Sequence, residues 1–221
     1  MYEQFWPPIQ LSIIVASIAT FFVVVFGTFL GKRLSSTNFR GKVFLDTALM
    51  LPIVLPPSVI GFMLIVLFGQ NSVIGSAIEV LFNQSILFTS TAAVIAASVV
   101  AFPLMYQSAK VGFRQINRDI EQAARIDGAN ELQVFGRVSL PLAKQALVTG
   151  GLLSFTRAFG EFGATLMFAG NIPGKTQTIP TAIYVAMESG EMRTAWLYVG
   201  ISIFMSFLLL GLTYVIQSES N

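Results

Sequence analysis

Five long apolar runs, at 11–30, 48–68, 86–105, 146–168 and 195–216, set the pattern of the chain. A helix needs roughly 20 mostly apolar residues to cross the hydrocarbon core of a bilayer. Each run has that length. The first and last contain no charge at all, and the fourth tolerates Arg157 and Glu161. The second carries Pro52, Pro56 and Pro57, and the third carries Pro103 near its end. The pattern therefore predicts an all-α integral membrane protein with five transmembrane helices. Between the runs, residues 71–83 read as a short loop with a small helix over 74–82. Residues 170–194 read as a longer one, with a turn at Asn171-Ile-Pro-Gly174. Residues 181–189 read as a short helix or a partial re-entrant.

Composition agrees with this pattern. The 221 residues are 54% hydrophobic and only 11% charged, with mean hydropathy +0.74. A soluble domain carries about 25% charge. The first run is expected to be a retained helix and not a cleaved leader: Glu3 precedes it, Lys32 and Arg33 follow it, and its apolar core is too long.

The distribution of positive charge orients the helices. Lys32, Arg33, Arg40 and Lys42 follow the first run. Lys110, Arg114, Arg118, Arg125, Arg137 and Lys144 lie between the third and fourth. Together these are ten of the thirteen basic residues. Both segments belong on the cytoplasmic face, which puts the N-terminus outside and the C-terminus in the cytoplasm. Trp6 and Trp196 then fall near the outer interface, where aromatic anchors against membrane lipid belong.

Several chemistries are excluded. There is no cysteine and no histidine, so disulfides, thiolate nucleophiles, Ser-His triads and the usual zinc sites are absent together. No catalytic residues, cofactor or metal are expected. The net charge of +2 gives no reason to expect a nucleic-acid partner.

The loop 112–142 differs from its surroundings in being polar and rich in helix formers. Asp119 is the expected cap of a helix over 119–126, in which Ile120, Ala123 and Ala124 share a face with Ile116. Gly128 allows a sharp break after Asp127. A second helical stretch then leads to Leu140-Pro141 and the fourth run. The ordinary reading is a basic loop that fixes topology. The sharper one is a rigid knob that fits a groove on a partner.

The stretch Gln122-Ala-Ala, three residues, Gly128, nine residues, Val138-x-Leu140-Pro141 resembles the EAA loop of ABC importer permeases. Gln122 stands where glutamate is usual, with Glu121 one place earlier, and Val138 stands for isoleucine. The segments Arg157-Ala-Phe-Gly-Glu-Phe-Gly-Ala164, Asn171-Ile-Pro-Gly174, Thr178-Ile-Pro180 and Leu51-Pro-Ile-Val-Leu-Pro-Pro57 are similar to the molybdate permeases of that family. Sulfate and tungstate permeases are relatives.

The resemblance implies a type I ABC importer permease fold in the plasma membrane of a prokaryote. It implies an ABC ATPase subunit as partner, and an extracytoplasmic substrate-binding protein that delivers molybdate. It implies ATPase coupling through Glu121, Gln122, Ala123, Ala124, Gly128, Leu140 and Pro141. The chain has no Gly-x-x-x-x-Gly-Lys-Ser/Thr loop of its own. Hydrolysis therefore falls to the partner, and this chain is not an enzyme. Five helices are too few to surround a polar path, so a second permease copy is expected. The chain ends about five residues past the fifth run, and no regulatory domain is expected on it.

Arg157 and Glu161 are the only charges well inside a run, four residues apart on the expected helix. Charges inside a membrane mark function by default, and Ser154, Arg157, Glu161 and Thr165 are the candidates for a translocation pathway or gate. A purely structural ion pair, and hydroxyls bonded to their own backbone, are the competing readings. A secondary transporter or channel subunit and a membrane anchor are the rival classes. No inverted repeat supports the former, and the EAA-like spacing disfavours the latter.

Overall fold

The computed structural model describes residues 2–218, with side chains over 5–215. All regular structure among them is helical. In chain order the helices are α1 (Tyr2–Ser36), α2 (Lys42–Val54), α3 (Pro57–Phe68), α4 (Val73–Phe82), α5 (Ser90–Arg114), α6 (Arg118–Ile126) and α7 (Glu131–Val134). A π-helical turn (Phe135–Ser139) then leads to α8 (Leu140–Phe159), α9 (Gly163–Ala169), α10 (Ile179–Glu188) and α11 (Met192–Ser218).

The centre is a close-packed trio, α1, α5 and α8. Lipid tails are as apolar as leucine, so helices in a membrane associate through packing and small residues rather than through the hydrophobic effect. Ala92, Ala93, Ala96, Ala97, Ala101 and Ala109 of α5 are accordingly all fully buried. A Cβ added at Gly31 would meet the Ala109 side chain at 2.6 Å, and one at Gly112 would meet Ala146 at 2.5 Å. Backbone contact of that kind needs glycine on one side.

The contacts also give the helix directions. Gly27 lies against Met105 and Gly31 against Ala109, so α1 and α5 run parallel. Gly112 lies against Ala146 and Gly150 against Ser108, so α8 runs antiparallel to α5. The beginning of α11 meets the beginning of α1, where Tyr198 stacks on Phe5 at 4.9 Å and donates from its hydroxyl to the Phe5 carbonyl at 3.1 Å. Lys32, Arg33, Lys110 and Arg114 thus gather at one end of the bundle, and Trp6 and Trp196 stand exposed at the other.

Four helical segments are long and apolar enough to cross a membrane: Phe5–Ser36, Ser90–Arg114, Glu131–Phe159 and Met192–Val215. The run 48–68 is not a continuous helix. It falls into α2 and α3, bent by 115° at Leu55 and Pro56. Leu55 precedes a proline and is driven to an extended conformation (φ −69°, ψ 143°), and Pro56 continues it. The run 86–105 corresponds to a helix displaced along the chain. Thr89 caps α5 by accepting the Ala92 N–H at 3.2 Å, and α5 continues through Pro103 to Arg114. The run 146–168 is interrupted too: α8 ends at Phe159, and Gly160, Glu161 and Phe162 separate it from α9. The halves after each break pack together, with Gly163 against Pro57 and Gly61 against Met167 and Ala164.

Candidate functional site

At the basic end, α6 and α7 project as a knob. The cap of α6 is Asn117, whose side chain accepts the Asp119 N–H at 3.0 Å. The expected cap, Asp119, instead sits in the first turn beside Glu121, where negative charge suits the helix dipole. The helix ends at Gly128, φ +91°. The Ala129 N–H reaches back to the Ala124 carbonyl at 3.0 Å, the long bond of a glycine-closed helix end. Asn130 and Gln133 then cap each other's backbone at 2.9 Å and start α7.

The knob presents apolar side chains to the outside. Ile126 is 85% exposed and Leu132 81%, and Gln122 and Ala123 are exposed beside them. Ala124 is half-buried, and Gly128 is exposed at the tip. Apolar side chains exposed on an otherwise polar loop are the kind of surface at which proteins or membranes are met.

Glu121 turns the other way. Its carboxylate accepts from Lys32 of α1 and, at 2.6 Å, from the hydroxyl of Ser139. Lys32 also donates to the Ser139 hydroxyl at 3.0 Å and lies 5.1 Å from the centre of the Phe113 ring of α5. Burial pushes the Glu121 carboxyl up, but the bonds from Lys32 and Ser139 and the charges of Lys32 and Arg125 outweigh it and hold it below its ordinary 4.5. Farther out, Arg125 grips Glu131 through two bonds of 2.7 and 3.2 Å, tying α6 to α7. A cavity of about 250 Å³ opens between α1, α5 and α6, lined by Lys32, Arg114, Arg118, Arg125 and Glu121 among others.

Leu140 and Pro141 do not begin a separate helix. The segment Glu131–Phe159 is continuous, and the π-helical turn Phe135–Ser139 ends two residues before the proline. Pro141 cannot donate to the carbonyl four residues back and crowds it. Widening the helix by one residue at that place relieves the conflict, and such π-turns recur at functional sites.

The second group of candidates lies at the far end of α8. Arg157 and Glu161 pair at 2.7 Å, but not along one helix face as their spacing suggested. Gly160 ends α8, and Glu161 stands in the break, 2% exposed, where it also accepts the Ala164 N–H of α9 at 2.8 Å. Ser154 is fully buried, its hydroxyl directed at the Ala101 carbonyl of α5 at 3.4 Å. Thr156 bonds its own helix at the Leu152 carbonyl, 2.9 Å. Thr165 is buried in α9. The two groups of candidates are not brought together.

Three residues escaped sequence reasoning. Lys32 and Ser139 looked like a topology charge and a loop serine. Asp46 of α2 bonds the Tyr106 hydroxyl and pairs with Lys110 of α5 at 2.6 Å. The signal for that pair was Lys110 itself, a charge next to an apolar run that the helix carries into a buried position (8% exposed).

The chain matches, over residues 10–219, the family described as the binding-protein-dependent transport system inner membrane component. It belongs to that family. The subunit is therefore a multi-pass inner-membrane component of a prokaryotic ABC importer, whose ATPase is a separate subunit. Among its relatives, the putative molybdenum transport system permease protein YvgM of Bacillus subtilis is 56% identical over 94% of this chain and 92% of its own. The molybdenum transport system permease protein ModB of Escherichia coli is 40% identical over 93% and 91%. The sulfate transport system permease protein CysT of Salmonella typhimurium is 31% identical over 95% and 76%. The fold is also that of the permease chain in the MetNI methionine ABC transporter, with TM-score 0.72 at 15% identity over 99% of this chain and 97% of that one.

Proposed function

We propose that this subunit imports molybdate by alternating access, driven by an ATPase into which the α6–α7 knob inserts. The carrying observation is the knob itself: a short helix closed by Gly128, with Ile126 and Leu132 exposed, at the basic end of the bundle. Gln122 and Ala123 face the ATPase groove, and Glu121 holds the knob from behind. The chain crosses the membrane five times, with α2 and α3 as one bent crossing. The parallel run of α1 and α5 supports this, because the intervening chain must return across the bilayer. The basic end lies in the cytoplasm, and the N-terminus lies outside.

A second copy of the chain completes the pathway, and an extracytoplasmic binding protein delivers the substrate to the outer face. Lipid covers the exposed apolar faces of α1 and α11. Ser154, Arg157, Glu161 and Thr165 flank the pathway where the broken helices α3 and α9 meet, since irregular backbone at membrane depth belongs beside a cavity or buried in protein. Molybdate is favoured by the two most similar relatives described above, both molybdenum transport system permease proteins. Sulfate remains the second reading because of the sulfate permease among them.

Two measurements test this. Gly128→Asp places a β-carbon at a left-handed position and a charge at the tip. It should abolish both ATPase co-purification and uptake, and intact binding and uptake would sink the docking reading. In a strain deleted for the gene, restored uptake of radioactive molybdate but not of sulfate is expected. The reverse would move the subunit to the sulfate branch.

A further inference from the structure

The knob is joined to the membrane helices at more than its ends. Glu121 is the point where three segments distant in sequence converge: α6, Lys32 at the last turns of α1, and Ser139 at the end of the π-turn that leads into α8. Ser139 has no exposed surface, and the Glu121 side chain is only 14% exposed. The serine hydroxyl accepts from Lys32 and donates to Glu121, so each member of the triad is bonded to both others. Phe113 of α5 closes one side over the lysine. A knob meant only to dock would need no such anchor. One meant to move two membrane helices needs a stiff connection that does not slip under load.

We infer that Lys32, Glu121 and Ser139 form a clasp that makes α6 move as one body with α1 and α8, so that these three are positioning residues for energy coupling. The inference rests on the docking reading above for where the force comes from, but the clasp itself is a property of the permease alone. The Glu121 side chain is 14% exposed and that of Lys32 26% exposed, so both are partly withdrawn from water. Removing Lys32 leaves Glu121 with Ser139 and, at 3.9 Å, Arg125 of its own helix, and removing Glu121 leaves Lys32 with Ser139 alone; either way α6 loses its tie to α1 and swings on its two connections, around Ile116 and Gly128. The exposed outer face of the knob is untouched, so the ATPase still binds. The motion it delivers is lost between α6 and α1.

The low pKa of Glu121 fits this task. A carboxylate held below its unfolded value contributes stability above that value and loses it only as the pH falls further. The ordinary value is 4.5, so the clasp stays closed throughout the neutral and mildly acidic range.

The chain has no cysteine, so one doubly labelled copy diluted with unlabelled copies carries a unique pair of labels. Spin labels at Ser36→Cys and Asp127→Cys report the distance between the end of α1 and the end of α6. In permease alone in lipid nanodiscs the distance distribution should be narrow, and equally so at pH 7.5 and pH 5.5. Lys32→Met and Glu121→Gln should each broaden it, and the exchange Lys32→Glu with Glu121→Lys should narrow it again. In proteoliposomes holding the complete importer, each single variant should keep its ATPase bound and hydrolysing. Substrate moved per ATP should fall about tenfold, and the exchange should restore it.

A distribution that stays narrow in both single variants overturns the inference, whatever transport does. A broad distribution with unchanged transport per ATP overturns the coupling role. A broad distribution that the exchange does not rescue overturns the charge-paired clasp. Failure of the docking reading would look different, as loss of dependence on Gly128 with the label distances unaffected.

Discussion

The two interrupted helices are broken by different means. Between α2 and α3 the backbone turns through 115° where two consecutive prolines deny the helix its donors. Between α8 and α9 there is no proline. The helix stops at Gly160, and the Glu161 carboxylate holds the gap open by bonding Arg157 on one side and the Ala164 N–H on the other. The first break is written into the covalent chain, and the second depends on one side chain. A break of the first kind survives most substitutions around it. One of the second kind can be undone by removing a single carboxylate, and it can also rearrange when that carboxylate finds another partner. Yet the breaks are adjacent, because Gly163 lies against Pro57, and neither half-helix has a place without the other.

Substitutions at these positions separate the two mechanisms. The largest effect is expected at Glu161→Ala, which removes the cap of α9 and leaves a partly buried arginine unpaired. A loss of about 2–3 kcal/mol in detergent-mixture unfolding is expected. Glu161→Gln keeps an acceptor for the Ala164 N–H and should lose less. Equal losses would mean that the ion pair, and not the cap, holds the break. Gly61→Val comes next. Its β-carbon would lie 2.6 Å from Met167 Cβ and 3.1 Å from the Ala164 carbonyl, and forcing α3 from α9 should cost about 1–3 kcal/mol. A neutral result would show that the pair separates freely.

The smallest effect is expected at Pro56→Ala, about 0.4–1 kcal/mol, through the added freedom of the unfolded chain. Labels on α2 and α3 should report the same bend as before, because residue 56 still precedes Pro57 and stays extended. A straightened segment would show that Pro57 cannot hold the break without Pro56.

The runs of apolar residues were enough to read an all-helical membrane protein, and the family followed from the Gln122–Pro141 spacing. The interruptions were harder to read. Proline at 52, 56 and 57 marked a disturbed segment but not which of the three would bend it: Pro52 lies inside α2, where the helix absorbs it. Glu161 looked like a charge on a helix face, because periodicity assumes that the helix continues past Gly160.

At the knob, Gly128 was legible since few residues but glycine take its φ, whereas the choice between Asn117 and Asp119 as cap depends on where the preceding helix stops. Nothing local marked Lys32 and Ser139 as partners of Glu121. They lie 89 and 18 residues from it, and only the packing of α1 beside α5 and α8 brings all three together.

The outward-facing apolar residues of the knob have a consequence for the cell's handling of this subunit. On the docking reading proposed above, Ile126 and Leu132 are covered when the ATPase is bound, and a permease made in excess would display them to every chaperone and protease in reach. Exposed apolar surface of this sort is what quality control recognises in unfinished proteins. The abundance of the subunit should then follow the supply of its ATPase, and overproducing the permease alone should shorten its lifetime rather than raise transport.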